Sequence, residues 1–196
     1  MLTQLERYQE ALLASEQAIQ LDAKNAHAYV NKGAALAGLR RFVEALKACE
    51  QAISLDERLG AAYLWKAQML SELKQYQEAL VVYDQAIQMD CQPSFAYLGK
   101  AYAFRRLSRY REALEACNWG IELDPNNAAA HHAKGLTLLF LYRYADALPA
   151  YDAAIQLDPA RPAPYFGKGW AHLCRAEFGQ SFGAYKHWLQ VLRKRE

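Results

Sequence analysis

The residues from Ser94 to Asn127 read SFAYLGKAYAFRRLSRYREALEACNWGIELDPNN, and this stretch decides the fold. Shifted by 34 residues either way, its punctuation returns. Tyr110–Leu114 (Tyr-Arg-Glu-Ala-Leu) recurs as Tyr8–Leu12, Phe42–Leu46, Tyr76–Leu80 and Tyr144–Leu148. Ile121–Asp124 (Ile-Glu-Leu-Asp) recurs as Ile19–Asp22, Ile53–Asp56, Ile87–Asp90 and Ile155–Asp158. A fixed period of this size marks a stack of supersecondary units that share one continuous core.

Each unit carries two helical patterns. In the quoted unit Tyr97, Ala101 and Phe104 fall on one helical face, and after a break at Ser108–Arg109 so do Ala113, Cys117, Gly120 and Ile121. Pro125 stands where the second helix must have ended, since its ring cannot continue an interior turn, and Asn126 or Asn127 is placed to cap the next helix. One small residue per unit (Gly33, Ala67, Ala101, Gly135, Gly169) faces another (Ala11, Ala45, Ala79, Ala113, Ala147), which lets paired helices approach closely. Overpacking there is expected to cost roughly 1–3 kcal/mol. Pro149 interrupts this pattern and is expected to loosen the start of its helix.

With Tyr97, Ala101, Phe104, Ala113 and Pro125 in one unit, and Tyr63, Ala67, Leu70, Ala79 and Ala86 in the unit before, the chain resembles the tetratricopeptide repeat family. The resemblance covers nearly all of it. It implies an all-α fold: a right-handed superhelical solenoid of antiparallel helix hairpins. A single solenoid over residues 1–196 divides into a partial unit (1–25), four full units (26–59, 60–93, 94–127, 128–161) and an altered last unit (162–196). The last unit keeps Tyr165, Gly169 and Phe178 but has Ser181 and Trp188 in place of alanine. The end helices look uncovered, the last showing Phe178, Phe182, Tyr185, Leu189 and Leu192 on one face. Either the chain is a segment of a longer protein, the reading favoured here, or its ends pair with other copies.

Composition narrows the function. With 53% apolar residues the chain can fold, and a net charge of +2 is too balanced to argue for a nucleic acid or a membrane surface as partner. No apolar run approaches the length of a membrane span, and the polar stretch Met1–Glu10 is not expected to act as a signal peptide. The four cysteines (Cys49, Cys91, Cys117, Cys174) have no metal-ligand spacing. Cys49 and Cys117 occupy the slot of Tyr83 and Tyr151, so they read as buried fillers, and a cytoplasmic location is expected. His131 and His132 are adjacent and therefore point to different helix faces, a poor chelate; His131 sits in the slot of Tyr97 and is expected to pack. No nucleophile triad or phosphate loop has a motif context. No enzyme activity, cofactor or metal is expected.

A lysine also keeps the period: Lys32, Lys66, Lys100, Lys134 and Lys168. Its stem is expected to pack against the preceding hairpin, with the ammonium meeting helix-ending carbonyls or the ladder Asp22, Asp56, Asp90, Asp124 and Asp158. The alternative is a basic stripe for an anionic ligand. Turns within hairpins are basic (Arg40, Arg41, Lys74, Arg109, Arg143) and turns between hairpins acidic, so the two long edges should differ in sign.

About a third of a turn from the buried set of each first helix lies another face. It carries Leu98, Tyr102 and Arg105, then His132, Leu136 and Leu139, then Phe166, Trp170 and Leu173; Leu64 is the equivalent in an earlier unit. The resemblance implies that this face lines the concave surface, which in the family commonly holds an extended peptide or a helix. The lysine and asparagine clamp that some members use for a C-terminal carboxylate has only Asn31 here, so that mode is not expected. The expected function is a protein–protein interaction scaffold that binds a peptide or amphipathic helix on this apolar and aromatic face, within a larger regulatory or assembly protein. The second hypothesis is homo-oligomer assembly through the ends; self-covering of the face by a C-terminal helix is also weighed.

Overall fold

The structure is a computed structural model. It describes residues 2–193, apart from the side chains of Leu2, Thr3 and Phe178. Phe178, expected on the apolar face of the last helix, therefore falls outside the described side chains. Among the described residues the chain is all helix, eleven helices packed as sequential hairpins of the tetratricopeptide type. No helix among them is long and apolar enough to cross a membrane.

The helices fall in two compact units that divide at Gly99 and Lys100. The first contains α1 (Leu2–Leu21), α2 (Ala26–Gly38), α3 (Phe42–Leu55), α4 (Gly60–Glu72), α5 (Tyr76–Gln88) and the start of α6 (Pro93–Arg106). The second contains the rest of α6, α7 (Tyr110–Leu123), α8 (Ala128–Phe140), α9 (Tyr144–Leu157), α10 (Pro162–Cys174) and α11 (Phe178–Arg193). In the first unit α2 pairs with α3 and α4 with α5, while α1 lies against α2; in the second α8 pairs with α9 and α10 with α11.

The boundaries follow local chemistry. The Asn25 side chain caps α2 by accepting from the Ala28 N–H, and Asn127 caps α8 by accepting from Ala129 and Ala130. Proline opens α6 and α10, where its missing N–H costs nothing. Within each hairpin the first helix ends in one recurring turn. Arg40, Lys74, Ser108, Tyr142 and Ala176 have positive φ, and the N–H of the next residue bonds a carbonyl five residues back, as in Arg41 to Leu36 and Gln75 to Leu70. This is the Schellman arrangement, built here without glycine.

Three of the five basic turn residues are paired locally. Arg41, Arg109 and Arg143 begin the second helices and pair with Glu44, Glu112 and Asp146 three residues on. The acidic ladder is likewise spent locally. Asp22, Asp56 and Asp124 accept from the N–H two residues later, closing the turn, and Asp158 meets Arg161. Three of the periodic lysines meet other carboxylates instead of these aspartates. Lys32 pairs with Glu16 at 2.9 Å, Lys66 with Glu50 at 3.2 Å and Lys168 with Asp152, carboxylates mid-way along the preceding second helix.

Other expectations resolve at single residues. Tyr63 and Tyr165 donate their hydroxyls to the carbonyls of Glu57 and Pro159, six residues earlier. His131 sits in the same slot and meets the Pro125 carbonyl at 2.9 Å through Nε2. A carbonyl only accepts, so that nitrogen carries the proton and the imidazole does the work of the phenol. Pro149 does not break α9, which runs unbroken from Tyr144 to Leu157. The carbonyl deprived of its helical donor belongs to exposed Ala145.

Candidate partner-binding face

In the second unit, α6 carries Tyr102 and Arg105, α8 carries His132, Leu136 and Leu139, and α10 carries Phe166 and Trp170. Spacings of three and four residues keep each set on one side of its helix. The helix pair behind them is set by Tyr151 of α9. Its ring lies against Gly135 of α8 and Gly167 of α10, and a side chain on either glycine would collide with it. Tyr151 is fully buried, and its hydroxyl has no partner among the described residues.

The exposed end of the face is aromatic. Phe166 is 46% exposed and Trp170 47%. Phe166 is braced from behind by Tyr185 and Trp188 of α11, with ring centroids 5.6 and 5.5 Å away. Leu136, Leu139 and Tyr102 are half-buried. None of these side chains is sealed into the core.

Two polar groups lie among them. The His132 ring stands 6.0 Å from that of Tyr151. Burial pushes its pKa down to about 4, helped by the positive charges of Arg161 and Arg105, so it is neutral near pH 7. Arg105 is half-buried with its guanidinium 5.8 Å from the centre of the Tyr102 ring. Burial lowers its pKa; Cys117, Tyr102 and Tyr151 raise it and Arg106 opposes them, with no carboxylate contributing. The space for Arg105 follows from a substitution in the repeat. Cys117 stands where Tyr151 stands one hairpin later, and is completely buried beside Thr137. Burial raises the Cys117 thiol to about 11 and that of Cys49 to about 12, so both are inert fillers.

The remaining expected residues lie in the first unit. Leu98 is half-buried. Leu64 differs from the others: it is only 6% exposed and belongs to a core cluster with Leu70, Tyr83 and Ala96. Helical periodicity placed it with Leu98, but Ala96 of α6 and Tyr83 of α5 close over it. Sequence reasoning also passed over Tyr151 and the Tyr185–Trp188 brace. The available signal was size alternation, since tyrosine appears at 83 and 151 where glycine appears sixteen residues on, at 99 and 167.

Elsewhere, two hollows recur in register, one beside Lys32 and Glu16 and one beside Lys168 and Asp152, and ion pairs span both. Among the described residues, no group of three histidine, cysteine or acidic side chains is placed to hold a metal ion.

The tetratricopeptide repeat pattern matches residues 2–59, 60–91, 94–127 and 132–177. The chain belongs to the tetratricopeptide repeat family. Members of this kind are typically non-catalytic interaction scaffolds. Among solved structures, YrrB, described as a tetratricopeptide protein with an unusual peptide-binding site, is similar at 18% identity and TM-score 0.68, over 91% of this chain and 92% of that one. PilW, a type IV pilus biogenesis factor, is similar at 15% identity and TM-score 0.85, over 91% and 83%. MamA from Desulfovibrio magneticus RS-1 is similar at 19% identity and TM-score 0.75, over 87% and 97%. At these identities the likeness is one of fold. No curated protein matches the chain.

Proposed function

We propose that this tetratricopeptide repeat chain is a recognition module that binds a partner protein through the face of α6, α8 and α10, taking a peptide segment in amphipathic helical form. The observation that carries this reading is Trp170. A tryptophan nearly half exposed beside Phe166, on a largely apolar face, is an unfavourable surface for water and a favourable anchor for a partner. Neutral His132 keeps the middle of the face free of charge near pH 7. The peptide-binding site of YrrB, on a similar fold, agrees with the same use. A helix suits the face better than an extended strand, because its contacts recur at one-turn intervals along α8 and α10. The test is affinity capture from the source cell with the wild-type chain and with Trp170→Ala. Specific partners lost on substitution support the reading; an unchanged set of partners rejects it.

Exposed Leu13 and Leu21 on α1, with Phe182 and Leu189 on α11, favour a second reading, self-association through the end helices. Light scattering separates the two, since a concentration-independent monomer rejects assembly.

A further inference from the structure

Of the residues named on the face, one is charged near pH 7. Arg105 holds a permanent positive charge, half-buried, and among the described residues no carboxylate forms an ion pair with it. Its guanidinium lies over the Tyr102 ring, a contact that orients the flat group without neutralising it. Close by, the buried Tyr151 hydroxyl also lacks a partner. Several cations elsewhere in the repeats behave differently: Arg41, Arg109, Arg143, Lys32, Lys66 and Lys168 each have a carboxylate.

That contrast has a consequence for any occupant. A wholly apolar helix laid over Leu136, Leu139 and Trp170 would strip water from Arg105 and leave a buried charge with nothing opposite. Such an uncompensated ion is strongly unfavourable. A partner carrying an acidic side chain at that point supplies a forked acceptor for a forked donor, and the pairing strengthens as water leaves. We infer that the partner segment presents an aspartate or glutamate within its apolar stripe, and that Arg105 reads this side-chain carboxylate and rejects segments without one. This inference rests on the proposed use of the face.

The test is selection of a displayed library of amphipathic helical peptides on the full chain and on its Arg105→Gln variant. Peptides enriched on the wild type are expected to carry an acidic residue inside the apolar stripe, and those enriched on Arg105→Gln to lack that preference. In a selected peptide, Glu→Gln should weaken binding to the wild type by about tenfold or more, from the strength of a charge-assisted bond, and change little on Arg105→Gln. Circular dichroism checks that the variant folds, and Arg105→Lys should restore part of the preference, since it keeps the charge but not the fork. Equal acid content on both chains overturns the inference while leaving the binding face intact. Failure to enrich any peptide whose binding needs Trp170 overturns both.

Discussion

The ring of Tyr151 fills the space between Gly135 and Gly167, so that a Cβ added to Gly135 would meet the ring at 2.8 Å and one on Gly167 would come closer still. The first contact closes the α8–α9 hairpin, and the second docks the following α10 onto it. Tyr83 meets Gly99 in the same way in the first unit. Where the tyrosine slot holds Cys49 or Cys117 instead, the residue sixteen later is Trp65 or Ala133. Each junction between hairpins therefore divides its space differently between these two positions. Gly167→Ala should cost about 1–3 kcal/mol by overpacking, and Tyr151→Cys about 3–5 kcal/mol by leaving a cavity. The double variant reproduces the pairing at Cys117 and Ala133, so its cost should fall below the sum by about 1 kcal/mol or more. Urea unfolding of the four proteins measures this. Strict additivity would show that the two residues do not share one space.

The hairpin turns hold a second, smaller reserve of stability. Lys74 is exposed and adopts a φ of 65°, a region that L-residues enter with strain and glycine enters freely. Lys74→Gly should raise stability by about 0.5–1 kcal/mol despite the added freedom of the unfolded chain, and Lys74→Val should lower it. Thermal unfolding of the pair decides. Equal midpoints would mean that the turn relaxes into another conformation.

The hairpins were legible in the sequence because the period is exposed in the residues that make it: alanine facing small residue, asparagine at the cap, proline past the helix end. The slot shared by Tyr63, Tyr165 and His131 was legible for the same reason. Polar pairings were less so. The lysine ladder points at the preceding hairpin as its spacing required, but its partners could not be chosen between Asp22 and Glu16 without the turn hydrogen bonds that occupy the aspartates. The face was legible as a set of helical positions, and its depth was not. Leu64 and Leu98 are equivalent by register, and only the residues packed over Leu64 separate them.

The lysine ladder itself should contribute little. The Lys66–Glu50 pair is partly solvated on both sides, and pairs of this kind are worth about 0–1 kcal/mol. Lys66→Met retains the apolar stem that lies along the preceding hairpin. It should cost less than about 1 kcal/mol, and the difference should shrink as salt is raised. A loss of several kcal/mol, or one indifferent to salt, would show that the ammonium is needed where the stem is not.

His132 makes the face sensitive to acid. Its folded-state pKa lies near 4, lowered by burial and by nearby Arg161 and Arg105, against an ordinary value of about 6.5 in the unfolded chain. Above that ordinary value both states hold a neutral imidazole, and the residue adds no dependence on pH. As pH falls below it, the unfolded chain takes up a proton that the folded chain refuses, so stability is drained toward pH 4 by up to about 3 kcal/mol. His132→Leu installs the residue found in the same register at Leu98 and Leu64, and should remove this component. Other acid-titrating groups remain in both proteins, so the difference between wild type and variant, measured by urea unfolding from pH 7 to pH 4, isolates the histidine. The wild-type advantage should shrink or reverse as acid is added. A titration of the His132 ring by NMR with a midpoint near 6.5 would show that it stands in water, and would remove the neutral centre from the face.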